Sequence, residues 1–151
     1  MREKARSILL ALVVWCCVTA TSADACTCSG PANAAEGLEQ SSTVFRGKVI
    51  GIRQPFLDRI GLTRTGHHRV EFAVSRQWKG RRSTRIVVRT RMTGEACGFP
   101  FRVNEEYLVY VMPGRTPETG ICTGTKRIAD AAADMAQLEA IHPNIPGHCL
   151  H

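Results

Sequence analysis

The sequence lacks the signatures that would mark an enzyme. It contains no G-x-S-x-G nucleophile motif, no H-E-x-x-H zinc motif and no glycine-rich phosphate-binding loop. Its five histidines form one adjacent pair, His67-His68, and three positions near the C-terminus, without an evident acid or nucleophile partner. We therefore expect a binding protein that has no cofactor of its own, rather than an enzyme.

Repeats, low-complexity segments and linkers are also absent, which indicates a single folded domain. The first 25 residues have a different character, typical of a secretory signal peptide. A basic start precedes an apolar run from Ile8 to Val18, and Ala23-Asp24-Ala25 forms an A-x-A cleavage site. The uncharged stretch 7–23 barely reaches the ~17–25 residues of a membrane span.

We therefore expect residues 1–25 to be removed and residues 26–151 to form the mature domain, with Cys26 as its first residue. The expected location is extracellular or periplasmic, with no membrane contact after cleavage. Two alternatives stay open at this point. The apolar run is an uncleaved anchor in one, and Cys26 is lipidated in the other.

The chain is basic, with 20 Lys and Arg against 13 Asp and Glu, and the mature domain carries a net charge of +6. Residues 76–91 hold seven positive charges and no acidic residue: Arg76, Lys79, Arg81, Arg82, Arg85, Arg89 and Arg91. We call this set the basic segment. It indicates either a solvated strand face and turn or a surface for an anionic polysaccharide or acidic protein. Nucleic acid is not an expected partner of an exported protein.

Five cysteines belong to the mature domain: Cys26, Cys28, Cys97, Cys122 and Cys149. In an oxidising compartment disulfides are the default, and four cysteines can form two bridges. No second C-x-C or C-x-x-C is present, so a metal-thiolate cluster is less favoured. Neighbouring Cys26 and Cys28 are each expected to reach a distant partner.

Apolar alternation and β-branched residues predict strands at 43–52, 67–80, 84–92 and 106–114, and a weaker strand at 120–126. Gly47 indicates a bulge or a tight bend in the first strand, and residues 54–66 are predicted to be a loop or an irregular hairpin end. Residues 29–40 predict a short helix with Ser29 or Gly30 as N-cap and Pro31 at its first position. Residues 127–141 predict an amphipathic helix with the apolar stripe Ile128, Ala131, Met135, Leu138 and Ile141.

The predicted fold class is mainly β. Five strands framed by two helices match a closed barrel of the oligonucleotide/oligosaccharide-binding (OB) type, although the same elements suit a sandwich. The choice between them comes from a resemblance. The start Cys26-Thr27-Cys28, VFRGKVIG at 44–51, GEACGF at 94–99, EYLVY and ICTGT together resemble the N-terminal inhibitory domain of the tissue inhibitors of metalloproteinases, in the netrin-module superfamily.

The resemblance implies an OB-type barrel stapled by the disulfides Cys26–Cys97 and Cys28–Cys122. The family's third bridge is missing, because no cysteine lies near Leu38 to pair with Cys149, and its second, cysteine-rich domain is missing too. Cys149 is then a free thiol, the link of a disulfide-bonded dimer, or part of an adventitious metal site with His148 and His151.

The resemblance also implies a binding site. The free amine and the carbonyl of Cys26 would chelate the catalytic zinc of a target metalloprotease, and Thr27 would enter its primary specificity pocket. Cys28 and Ser29 would continue along the cleft, and Gly94, Glu95 and Ala96 would form a second binding segment. The implied function is a secreted metalloprotease inhibitor. The alternative is a netrin-type module that binds protein or polysaccharide without inhibiting a protease.

Overall fold

The computed structural model describes residues 28–62, 66–91 and 97–142. Its elements in chain order are α1 (Ala34–Gln40), β1 (Thr43–Arg53), α2 (Phe56–Arg59), β2 (His67–Lys79), β3 (Arg85–Arg91), β4 (Glu106–Val111), a 3₁₀ helix (Ile121–Thr123), β5 (Lys126–Arg127), a second 3₁₀ helix (Ile128–Asp130) and α3 (Ala132–Ile141). The mainly β class is confirmed. In these three ranges, no helix has the length and apolar character needed to cross a membrane.

The strands form one antiparallel sheet in the order β3-β2-β1-β4-β5. Strand β1 is central, because it pairs with β2 along its whole length and with β4 through its first half. The bulge predicted at Gly47 is confirmed by a register shift between Arg46 and Gly47. Two further shifts, between Val44 and Phe45 and between Val49 and Gly51, let β1 bend near its start and near its end.

Strands β3 and β5 are the edges of this sheet, so the expected closed barrel is not confirmed. Residues 117–119 nevertheless bridge β3 and the end of β4. The N–H of Arg89 donates to the Pro117 carbonyl at 2.8 Å, and the N–H of Met112 donates to the Glu118 carbonyl at 2.8 Å. This short segment hydrogen-bonds to both strands without becoming a regular strand of the sheet.

One hydrophobic core lies on one face of the sheet and is built from Phe45, Val49, Val70, Phe72, Val88, Phe101, Tyr107, Val109 and Val111. Aromatic rings dominate its centre. The Phe72 ring meets the Phe45 ring edge-on at 5.3 Å and the Phe101 ring at 5.2 Å. Phe99 and Phe101, which lie shortly after the predicted second binding segment, therefore pack into this core.

A second core joins the two longer helices to the other face of the sheet. Its members are Ala34, Leu38, Val44, Trp78, Leu108, Tyr110, Ala131 and Leu138. Alternate side chains of β4 enter the two cores, which is why Tyr107–Val111 is buried throughout. The predicted stripe of α3 is confirmed at Ala131 and Leu138, but Ile141 is 44% exposed because the helix ends there, beyond the core.

The start of α1 differs from the prediction. Its N-cap is Asn33, whose side-chain oxygen accepts a hydrogen bond of 2.9 Å from the N–H of Glu36. The Glu36 carboxylate in turn accepts from the N–H of Ala32 at 2.7 Å. The predictions of Ser29 or Gly30 as N-cap and of Pro31 at the first helical position are wrong, because these two hydrogen bonds begin the helix at Ala34.

Two other segments also differ. The weak strand predicted at 120–126 is a 3₁₀ helix followed by the two-residue strand β5, and Gly124 between them has a left-handed φ of 86°. The helix predicted at 127–141 begins as a 3₁₀ turn and becomes α-helical at Ala132. The loop predicted at 54–66 contains the four-residue helix α2.

Candidate functional site

Part of the predicted protease-binding site lies within the described residues. Cys26, Thr27, Gly94, Glu95 and Ala96 lie outside them, as does Cys149. The described members are Cys28 and Ser29, which are exposed, and Cys97 and Cys122, which are half-buried. The structure therefore shows how the chain is held at Cys28, within the first predicted binding segment, and at Cys97, directly after the second.

The first anchor is a disulfide between Cys28 and Cys122, whose Cα atoms are 5.3 Å apart although 94 positions separate them in sequence. This pairing is the one that the family resemblance implies. Cys97 is also disulfide-bonded. Its predicted partner, Cys26, lies outside the described residues, so that pairing stays a prediction.

The chain at Cys28 and the chain at Cys97 both contact residues 120–122. The backbone N–H of Ile121 donates to the carbonyl oxygen of Cys97 at 3.1 Å, and the next residue, Cys122, holds Cys28. Gly120 brings the two chains close, since a Cβ at that position would lie 2.6 Å from the Cys97 carbonyl oxygen. The chain that follows Thr27 and the chain that follows Ala96 thus contact the same three residues.

The chain at Cys97 is also held against the end of β3. Cys97 has a φ of 55°, in the left-handed region that few residues other than glycine adopt. A Cβ on Gly98 would overlap the Arg91 carbonyl group, so only glycine fits there. The N–H of Phe99 then donates to the Thr90 hydroxyl at 2.8 Å. Residues 97–99 consequently have little freedom to shift.

A network of threonine hydroxyls supports the 3₁₀ helix that carries Cys122. The Thr119 hydroxyl donates to the Tyr110 carbonyl at 2.8 Å and lies 2.7 Å from the Thr125 hydroxyl. Thr125 accepts from the N–H of Tyr110 at 3.0 Å, and the Thr123 hydroxyl lies 3.0 Å from both of the others. Sequence analysis missed this network, because threonine spacing by itself does not distinguish a buried network from a polar loop.

Tyr110 also connects this region to α3. Its hydroxyl donates to the Asp134 carboxylate at 3.3 Å, and Lys126 forms an ion pair of 2.8 Å with the same carboxylate. Burial, together with the charge of Asp134, raises the pKa of Tyr110 well above its ordinary value. The phenol therefore stays protonated and keeps donating its hydrogen bond.

The basic segment does not form one continuous surface. Arg76 makes two hydrogen bonds to the Glu139 carboxylate, at 3.1 and 3.0 Å, and a third to the His142 carbonyl at 2.9 Å. Lys79 donates to the carbonyls of Leu38 and Glu39 at the end of α1. These two cations fasten the helices to β2.

The remaining members of the basic segment lie in the β2–β3 turn and on β3. Arg81 and Arg82 are exposed in the turn. Arg85 forms an ion pair of 3.3 Å with Glu71, and Arg89 lies 4.0 Å from Glu118. Sequence analysis missed two further arginines, Arg53 and Arg69, which strand register places beside Arg89.

No protein-family model matches this chain, and no curated protein matches it at a significant level. Among residues 28–62, 66–91 and 97–142, no group of three histidine, cysteine or acidic side chains is arranged to hold a metal ion. The relation to the tissue inhibitors of metalloproteinases therefore remains a proposal, which the geometry around residues 120–122 supports.

Proposed function

We propose that this chain is a secreted inhibitor of zinc metalloproteases, with the amine and carbonyl of Cys26 as ligands for the catalytic zinc of the target. The observation that carries the proposal is the convergence of Cys28 and Cys97 on residues 120–122. This convergence suits an inhibitor, because it fixes the chain at Cys28, within the first binding segment, and at Cys97, directly after the second.

The chemistry of an N-terminal residue suits this task. The amine nitrogen and carbonyl oxygen of one residue close a five-membered ring on a metal. They take the coordination position that a catalytic zinc keeps open for water. The amine gives up its proton at modest cost near neutral pH, since the ordinary pKa of an α-amine is about 7.7–8.0.

The disulfides would lower the entropic cost of binding. A free N-terminus loses conformational freedom when it enters a protease cleft, and that loss weakens the complex. Here the described anchor Cys28–Cys122 orders the chain on folding, before any protease is met. Thr27 would then project into the primary specificity pocket, Cys28 and Ser29 would continue along the cleft, and Gly94, Glu95 and Ala96 would form the second binding segment.

Removal of residues 1–25 is part of the proposal, because chelation needs a free amine on Cys26. The apolar run and the A-x-A site support export and cleavage at that point. We also propose that the sheet belongs to a closed barrel of the OB type, as in netrin modules. The hydrogen bonds of residues 117–119 to both β3 and β4 support this closure.

The test extends the mature N-terminus by one alanine. Extension turns the amine of Cys26 into an amide, whose nitrogen is a poor zinc ligand, and places a residue where the metal should sit. Against a panel of zinc metalloproteases, the inhibition constant should rise about 100-fold or more, which corresponds to about 3 kcal/mol. The matched control adds one alanine after His151 and should inhibit as the natural chain does.

Two further measurements make the test decisive. A thermal melt should show that both extended forms fold, and the intact mass of the exported protein should equal that of residues 26–151. A diacylglycerol adduct on Cys26, or equal inhibition by both extended forms, would eliminate the chelating amine.

The second candidate is an extracellular binding module that inhibits no protease. The net positive charge of the domain favours an anionic polysaccharide or an acidic protein as its partner. Absence of inhibition across the whole panel, by a chain shown to begin at Cys26, would favour this candidate. A disulfide-linked dimer through Cys149 is compatible with either function.

A further inference from the structure

The geometry points to a binding surface for a sulfated polysaccharide on the outer face of strands β1, β2 and β3. We call it the arginine row, and it consists of Arg53, Arg69 and Arg89. The inference is independent of protease inhibition. It shares Arg89 with the basic segment, but Arg53 and Arg69 lie outside that segment, and Arg76 and Lys79 of the segment are engaged with the helices.

Strand register creates the row. Arg53 of β1 lies directly opposite Arg69 of β2, and Arg69 lies directly opposite Arg89 of β3. Neighbouring strands are about 4.8 Å apart, and directly opposed residues project from the same face of a sheet. The three guanidinium groups therefore start from backbone positions that span about 10 Å in a line across the strands.

The row lies on the face of the sheet opposite the core that contains Phe45 and Phe72. Each arginine has an apolar neighbour in its own strand: Ile52 precedes Arg53, Val70 follows Arg69 and Val88 precedes Arg89. These three apolar residues are also in register with one another. Val70 and Val88 are fully buried and Ile52 packs against the same core. Because successive side chains of a strand alternate between faces, Arg53, Arg69 and Arg89 project to the opposite side, where Arg53 and Arg69 are exposed.

Few acids balance these charges. Within the described ranges, the side chains of Arg53 and Arg69 form no hydrogen bond or ion pair, and Arg89 forms one long ion pair, of 4.0 Å, with the Glu118 carboxylate beside it. Glu71, the nearest acid on β2, already pairs with Arg85. Like charges directly opposite one another destabilise a sheet. An anion that bridges the row would relieve this repulsion.

The row extends beyond three residues. Arg91 lies two positions after Arg89 on the same face of β3, and Arg85 lies four positions before it. Lys48 is opposite Ala73, which is in turn opposite Arg85. The outer face thus presents several cations in adjacent rows, which suits a linear polymer that carries many anionic groups better than it suits a single small anion.

The chemistry of this face favours a sulfated polysaccharide. Guanidinium groups bind tetrahedral oxyanions through two parallel hydrogen bonds. Gly51, Glu71 and Val87 form the adjacent row of the same face and offer no aromatic ring on which a nucleic-acid base could stack.

The experiment measures the affinity of the mature protein for heparin as a function of salt. The test variant is Arg53→Gln/Arg69→Gln, and the matched control is Arg81→Gln/Arg82→Gln, which removes the same charge from the exposed turn. We expect the test variant to bind at least tenfold more weakly, with the slope of log affinity against log salt reduced by roughly two. The control should change affinity less than threefold.

Thermal melts and two further probes complete the design. The test variant should melt at or above the temperature of the natural protein, because it loses a like-charge repulsion. Chemically desulfated heparin and a single-stranded oligonucleotide of equal charge should both bind more weakly than heparin. Equal weakening by the two double variants, or equal affinity for the oligonucleotide, would overturn the assignment.

Discussion

The backbone N–H of Ile121 donates a 3.1 Å hydrogen bond to the carbonyl oxygen of Cys97. The next residue along the chain, Cys122, is bonded to Cys28. One turn of 3₁₀ helix therefore positions two chain segments that are far apart in sequence. Changes at this turn should affect both predicted binding segments, even when they touch neither.

Gly120→Ala tests the close contact between the two segments. The new Cβ would lie 2.6 Å from the Cys97 carbonyl oxygen, so the chains must separate. We expect a loss of about 1–3 kcal/mol in the free energy of unfolding, measured by urea titration. The inhibition constant against a responsive metalloprotease should also rise. Gly51→Ala is the control, since a Cβ there meets nothing within 4 Å. Comparable losses in both variants would contradict the contact.

Removal of the described disulfide by Cys28→Ser/Cys122→Ser should strongly destabilise the fold. The bond closes a loop across 94 positions, and in the chain-entropy model such a loop is worth about 4–5 kcal/mol. Thermal melting of the variant should therefore occur at a much lower temperature. Cys149→Ser, which removes a cysteine without a predicted partner in the same chain, should melt as the natural protein does. Non-reducing peptide mapping should recover Cys28 linked to Cys122, and any other link for Cys28 would count against the structure.

Thr125→Val tests the threonine network. Valine preserves the shape of the side chain but leaves the buried N–H of Tyr110 without its acceptor. An unsatisfied buried donor costs about 1–3 kcal/mol, which chemical denaturation can measure. The control is Thr43→Val in β1, where the threonine is half-buried and its hydroxyl forms no hydrogen bond within the described chain. If both variants lose the same stability, the network contributes nothing specific.

Arg76→Ala and Arg81→Ala should separate structural from exposed members of the basic segment. Arg76 binds both Glu139 and the His142 carbonyl, and it lies over the Trp78 ring at 5.7 Å. Its loss should cost about 1–3 kcal/mol of stability, because three hydrogen bonds and the packing of the stem disappear. Arg81→Ala should change stability by less than about 0.5 kcal/mol, as is usual for an exposed site. Equal melting temperatures would show that Arg76 does not fasten α3.

The sequence pattern predicted strands β1 to β4 well, because each alternates between buried and exposed positions or carries a continuous run of apolar residues. Strand β5 and its neighbouring 3₁₀ helix were predicted poorly. Their conformation depends on Thr119, Thr125 and the bond to Cys28, which are tertiary contacts and leave no local period. The N-cap of α1 was misplaced because several residues in that stretch suit a cap, and the Asn33–Glu36 hydrogen bond decides between them.

The candidate site also has features that could be predicted from the sequence and features that could not. The Cys28–Cys122 pairing was predicted by family resemblance, since cysteine spacing does not determine which partners bond. The arginine row could not be predicted, because Arg53, Arg69 and Arg89 become neighbours only through the register of three strands. In the basic segment, closeness in sequence suggested one shared surface, and the structure shows that its members do not form one. Consecutive residues of a strand point to opposite sides of the sheet and into different environments.

The contact between α1 and α3 has a consequence for how the chain acquires its structure. The N–H of Ala34 donates to the Gln137 side chain, and the second core contains residues from both ends of the described chain. Strand β1 likewise pairs with β4, which lies about sixty positions later along the chain. Such non-local pairing makes folding slow relative to helical proteins of the same size. A chain synthesised from its N-terminus therefore cannot complete the second core until α3 has been made.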